Sequence, residues 1–282
     1  MEQILMLKNM KQPLPYMNLV EVLNVQDDDV VYVGGSLVEA SVNKYSGRVG
    51  NRLSDLDVFI LRKHERYKET SATYITDICR TDFVSCFGIN CDVEVYDMDI
   101  IKEIIDGVNN IRFEEKERIL NCIKMPKGYS FEKINEFLTR FFYSIPIYNI
   151  EYYNWLKNVI DINAFFKLKE YYCIQVIDNM KEDIWGNVEV GEYTTALMLC
   201  REAIYRFIEY IFSREKIFND RRKWAWIKIE NLSNDKKEYS DVYIYMKKVL
   251  YGDGTKLLEG DIRKYVKYLE DKIEEYSIEV DF

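Results

Sequence analysis

His64 is the only histidine in this 282-residue chain. Without a second histidine, and without a Cys-x-x-Cys pair among the cysteines, the sequence lacks the ligand clusters of a zinc site. Cys79, Cys86, Cys91, Cys122, Cys173 and Cys200 are also too sparse for a disulfide scaffold, and they read as reduced, mostly buried thiols. His64 lies among charges in LRKHERYKE, so we expect an exposed loop residue there and no histidine base. No stretch approaches the ~18 uncharged apolar residues of a membrane span. The first residues, MEQILMLKNMKQPLP, lack the apolar core of a secretory leader. The expectation is therefore a cytoplasmic protein with no membrane partner. A long basic tract is missing too. With 39 basic against 48 acidic side chains the net charge is −9, which repels polyphosphate backbones. Long nucleic acid is not an expected partner, whereas small or cationic molecules and proteins suit an acidic surface.

What is present describes an ordered globule, at 48% hydrophobic and 31% charged residues and with a length that suits two domains. The fold class expected is α+β. Through about residue 111, short β-rich runs alternate with helical ones, which reads as a mixed-sheet domain. Residues 17–24 read as a helix, Asp27-Asp28-Asp29 as a turn and VVYVG as a buried strand entering Gly34 and Gly35. LVEASVNKY reads as a helix and SGRVGNRLS as a loop. From residue 112 to 282 strand signals nearly vanish and apolar residues recur at helical spacing in FEKINEFLTRFF, YYNWLKNVI, ALMLCREAIYRFIEYIF and RKYVKYLEDKIEEY, so this part is expected to be a helical bundle. Pro126 and Gly128 mark the boundary region.

Chemistry concentrates in two places. Gly34-Gly35-Ser36 joins the first strand to a helix. Ser36 with Glu39 fits a capping box, while the two glycines fit close approach of a phosphate to amides at a helix start. DLDVFILR alternates with the two-residue period of a strand, so Asp55 and Asp57 share a face, ~6.5–7 Å apart, and repel unless a cation lies between them. Magnesium prefers such oxygen ligands and keeps part of its shell for substrate phosphates. FVSCFGINCDVEVYD reads as a hairpin whose second strand puts Asp92 and Glu94 on one face. Asp92 is the first choice for a third acid, with Glu94 second.

GGS, a helix, SDLDVFIL and then CDVEVY together resemble the nucleotidyltransferase superfamily of DNA polymerase beta. The resemblance spans roughly residues 30–97, about a quarter of the chain. It implies that the Gly34-Gly35-Ser36 turn holds a nucleoside triphosphate and that Asp55, Asp57 and Asp92 bind two magnesium ions. The reaction implied moves a nucleoside monophosphate onto an acceptor hydroxyl. The order of domains is similar to that of small-molecule adenylyltransferases, in which a helical C-terminal domain binds the acceptor. ATP and a small, antibiotic-like acceptor are thus expected, with a protein hydroxyl next. An alternative is an idle nucleotidyltransferase fold that binds nucleotide or a partner as a sensor or scaffold.

The stretch YSGRVGNR lengthens the usual gap between turn and acids. It carries Arg48 and Arg52, both candidates for phosphate contact, with solvated loop charges as the other reading. In NDRRKWAWIKI, Arg221, Arg222 and Lys223 would oppose the dipole of a helix capped at Asn219 or Asp220; contact with phosphate or an anionic part of the acceptor is one reading, and pairing with acids of the first domain or simple exposure is the other. Trp224 and Trp226 are expected in the core, with stacking on a base as the alternative. Glu192 and Glu202 are further candidates for a general base.

Overall fold

The computed structural model describes residues 4–8, 10, 13–86, 88–113, 118–251 and 259–277; Phe87, in the turn of the expected hairpin, lies outside them, as do parts of the N-terminal stretch. Two compact units are present, residues 1–164 with 218–220, and residues 165–217 with 221–282. The expected boundary at 111/112 is therefore moved, because the segment after it returns to the sheet of the first unit.

The first unit opens with a small ladder, β1 (Ile4–Leu5) against β2 (Leu14–Pro15), and α1 (Tyr16–Val22). Then follow β3 (Val30–Gly34), α2 (Gly35–Val42), β4 (Leu56–Arg62), α3 (His64–Glu69), β5 (Tyr74–Ile75), β6 (Arg80–Cys86), β7 (Ile89–Asp97) and α4 (Met98–Asn109). After these come α5 (Phe131–Phe142), β8 (Ile145–Tyr148) and α6 (Ile150–Val159). Among the described residues the main sheet has six strands in the order β5-β6-β7-β4-β3-β8. Only β4 and β7 run parallel; the other pairs are antiparallel. The strand β8 was not expected, since IPIY is short, contains a proline and sits between two helices. It holds an edge, the one place in a sheet where a missing N–H costs no ladder bond.

Both faces of the central strands are covered, which is why VVYVG and VFIL are continuous apolar runs. One face carries Val31, Val33, Val58, Ile60, Val93 and Val95, packed with Leu19, Leu37 and Val38 of α1 and α2. Each such side chain stabilises the unit by about 1.5–3 kcal/mol. The opposite face is aromatic. Tyr32 stacks on Phe59 (5.1 Å) and meets Phe141 (5.3 Å) and Tyr153 (5.6 Å), so α5 and α6 lie against this face. Ser130 caps α5 by accepting the Lys133 N–H, and its apolar residues Phe131, Ile134, Phe137, Leu138 and Phe141 are all buried.

The second unit is helical: α7 (Ile162–Glu189, from residue 165), α8 (Tyr193–Arg214), α9 (Arg222–Asp235), α10 (Ser240–Tyr251) and α11 (Glu259–Ser277). Helix α8 buries Ala196, Cys200, Ala203, Ile204, Phe207, Ile208 and Ile211. A buried ion pair, Lys169 to Glu209 at 2.8 Å, joins α7 to α8. All six cysteines are free thiols. No helix among the described residues is long and apolar enough to cross a membrane.

Candidate active site

Strand register decides where the candidate residues meet. Gly34 on β3 is the ladder partner of Asp57 on β4, and Asp57 is the partner of Asp92 on β7. Partners in register share a face, and neighbouring strands lie ~4.8 Å apart. Asp57 and Asp92 therefore stand side by side, with Gly34 adjoining them. Asp55 lies just before β4, two residues from Asp57, and is exposed, whereas Asp57 and Asp92 are half-buried.

The turn is tied to these acids by a close approach. Gly35 has φ +72°, and a Cβ there would lie 1.8 Å from Asp57 Oδ2 and 2.4 Å from its Cγ. Only glycine admits both that backbone and that carboxylate. Gly34 is equally hemmed in, since a Cβ would sit 2.9 Å from the Phe59 ring and 3.1 Å from the Arg140 carbonyl. Gly34 is also the N-cap of α2, so Ser36 is the second helical residue and the expected capping box is absent. Glu39 instead accepts from Ser46 Oγ at 2.7 Å, and Ser46 receives a bond from Asn43 Nδ2 at 2.8 Å. This buried chain anchors the loop that follows α2, with Tyr45, Ser46 and Val49 inside. The lengthened loop is thus packed structure. Exposed Arg52 lines a cavity of about 160 Å³ with Asp55, Leu37, Ser54, Ile89 and Asn90, while Arg48 is exposed on the same loop.

Glu94, the second choice for the third acid, is committed elsewhere. Arg140 Nη1 donates to both of its oxygens (2.9 and 3.0 Å), and the Tyr96 hydroxyl donates to Oε2 at 2.6 Å. Arg140 itself is buried and also meets Glu136 (2.5 Å) and Asp220 (3.5 Å). Burial opposes its charge, but Glu94, Glu136, Tyr96 and Asp220 more than offset this and hold its pKa above the usual arginine range. Tyr96 is pushed well above the ordinary tyrosine range by burial first and then by Glu94, so it stays a donor. Sequence reasoning missed Arg140; its place in FEKINEFLTRFF, facing the apolar side of an amphipathic helix, was the available signal. Beside the acids, Cys91 is pushed up to about 12 by burial, with smaller contributions from Cys86, Asp92 and Asp55.

Among the described residues, the one group of His, Cys, Asp and Glu ligand atoms gathered within 4.8 Å of each other is His64, Asp97 and Asp99. Asp55, Asp57 and Asp92 are not so gathered. The His64 group has a helix-capping explanation. Asp97 caps α4 by accepting the Asp99 N–H at 3.0 Å and also pairs with His64 Nδ1 at 2.6 Å. A cation there would face the positive end of α4, which favours carboxylates without one. His64 begins α3 and is partly exposed, so the expected loop is a short helix.

Of the remaining candidates, Asp220 is a partner of Arg140 in the first unit and α9 is capped at Arg221, beyond the expected Asn219 or Asp220. Arg222 pairs with Glu202 of α8, an acid of its own helical unit and not of the first, and lies over the Tyr205 ring at 4.7 Å. Glu202 is thereby engaged, and Glu192 is the N-cap of α8. Trp226 packs on Tyr243 at 4.9 Å and both tryptophans are half-buried.

Neither a family model nor a curated protein matches this sequence. A crystal structure of a nucleotidyltransferase-like protein from Exiguobacterium sibiricum is similar at a TM-score of 0.49 and 9% identity, over 92% of this chain and 73% of that one, a likeness too weak to place the chain in a family.

Proposed function

We propose that this chain is a metal-dependent nucleotidyltransferase. It transfers a nucleoside monophosphate from a nucleoside triphosphate, ATP being the first choice, to a hydroxyl of a small molecule, with a protein hydroxyl next. One observation carries the reading: a glycine turn at a helix start lies directly against Asp57, and Asp57 lies in register with Asp92. Like charges side by side on neighbouring strands repel, and a divalent cation between them is favourable. A polyphosphate and its counter-ions relieve that repulsion, and a helix start with backbone amides suits the phosphate.

The donor set fits magnesium, being carboxylate oxygens throughout, and exposed Asp55 must turn toward the pair for all three to share ions. Asp55, Asp57 and Asp92 would hold magnesium, which would neutralise charge on the phosphates and lower the pKa of the acceptor hydroxyl. The amides of Gly35 and Ser36 hold the phosphate tail. Arg52 adds charge at the rim of the Asp55 cavity. The acceptor oxygen bonds to the α-phosphorus, the bond to the β-phosphate oxygen breaks, pyrophosphate leaves, and Asp92 receives the hydroxyl proton. Arg140 keeps Glu94 turned to itself and leaves Asp92 as the strand acid facing substrate.

Calorimetry with ATP tests the proposal. Binding should require magnesium and disappear in Asp57→Ala. Equal binding with and without the metal, or none in either case, overturns it.

A further inference from the structure

Continued across the sheet, the row of in-register residues gains one more member. Phe83 on β6 is the ladder partner of Asp92. The row therefore reads Gly34, Asp57, Asp92, Phe83, each about 4.8 Å from the next and all on one face. Phe83 is 54% exposed although it adjoins a half-buried acid. Its ring meets Tyr74 of β5 edge-on at 5.8 Å, and Tyr74 is itself 61% exposed. Tyr74 pairs with Thr81, which is on the Phe83 face of β6, so both rings stand on the side of the sheet that carries the acids. An edge-to-face pair fixes ring orientation, and water-exposed rings gain by stacking on a flat partner.

From this order we infer that Phe83, held by Tyr74, is the platform on which the acceptor stacks, and that the acceptor is a small molecule with a flat ring beside its reacting hydroxyl. This rests on the proposed transfer reaction. Attacking and leaving oxygens lie roughly in line through the transferred phosphorus. With the leaving pyrophosphate at the Gly35–Ser36 end of the row, the attacking hydroxyl stands beyond Asp57 and Asp92, over β7 and β6. A strand spacing of about 4.8 Å between Asp92 and Phe83 suits a ring lying on Phe83 whose hydroxyl reaches the Asp92 carboxylate. Phe83 is a specificity residue in this scheme and takes no part in phosphate binding.

The test uses the full chain with magnesium and the non-hydrolysable analogue α,β-methylene-ATP. Ligand-detected NMR is run with four probes: adenosine, tyrosol, glucose and spermidine, the last a cation without a ring. Calorimetry of the analogue runs beside it, and circular dichroism checks folding. Phe83→Ala should weaken the flat-ring probes, adenosine and tyrosol, about tenfold or more while analogue affinity stays within twofold. Phe83→Trp should restore ring binding. If wild type fails to bind the analogue, the transfer reading itself falls and this inference with it. Analogue binding with ring signals equal in wild type and Phe83→Ala overturns the platform alone, as does binding confined to spermidine.

Discussion

Replacing Gly35 by alanine perturbs the point where turn and acids touch. Two costs add. Alanine at φ +72° pays for a left-handed backbone, about 1 kcal/mol. The new methyl would also fall 1.8, 2.4 and 2.9 Å from Oδ2, Cγ and Cβ of Asp57. Rotation of the carboxylate relieves the first two, but the Cβ is fixed by the strand, so β3 and β4 must separate locally at about 1–3 kcal/mol. The total is about 3 kcal/mol, and the carboxylate is driven from its place against the turn. Gly191→Ala isolates the first cost, because its φ is +83° with no atom within 4 Å of an added Cβ. That control should lose about 1 kcal/mol. Hydrogen exchange at amides of β3, β4 and β7, and of α7 and α8 for the control, reads each unit separately, which a single unfolding transition of a two-unit chain cannot. In the double variant Gly35→Ala, Asp57→Gly, all three close contacts vanish, the Cβ included. It should be at least about 1 kcal/mol more stable than additivity requires. A Gly35→Ala loss no larger than that of Gly191→Ala, or strict additivity in the double variant, refutes the contact.

Asp57→Ala and Asp92→Ala should each abolish magnesium-dependent ATP binding and turnover; calorimetry reads the binding, and far-UV circular dichroism checks that each variant is folded. Arg140→Met strands Glu94 inside and should cost about 3–5 kcal/mol, whereas Glu94→Gln keeps a hydrogen-bond acceptor and should cost less, by the same exchange measurement. Burial raises Cys91, Cys173 and Cys200 from about 9 to about 12, so these thiols should resist alkylation at pH 8 in the native chain and react in urea, read by mass spectrometry. The sign follows: the folded pKa is the higher one, so this stabilising contribution is complete below pH 9 and is lost as pH rises toward 12.

Much of the site was legible from local pattern. The period-two alternation of DLDVFILR, the glycine pair after VVYVG and the CDVEVY strand all depend on neighbours within a few residues, and each stands as an element of the structure. What went astray involved partners that the local period does not specify. Ser36 and Glu39 had the spacing of a cap, yet Gly34 took that position and Glu39 turned to Ser46. Asp92 was ranked ahead of Glu94 as the third acid, but that Glu94 is held by Arg140, 46 positions along the chain, could not be read from the strand. Phe83 was partly readable, because a hairpin closing between Cys86 and Ile89 fixes its pairing with Asp92, but its exposure was not.

The sequence by itself determined the strand periods, the helical character of the later residues and the supply of acids and glycines, because periodicity and backbone freedom are properties of short segments. The tertiary structure alone decided that β4 and β7 run parallel with Asp57 against Asp92, and that β8 closes the sheet beside β3. Strand pairing and ion-pair choice are settled by packing between residues far apart in the chain, where no local pattern reaches.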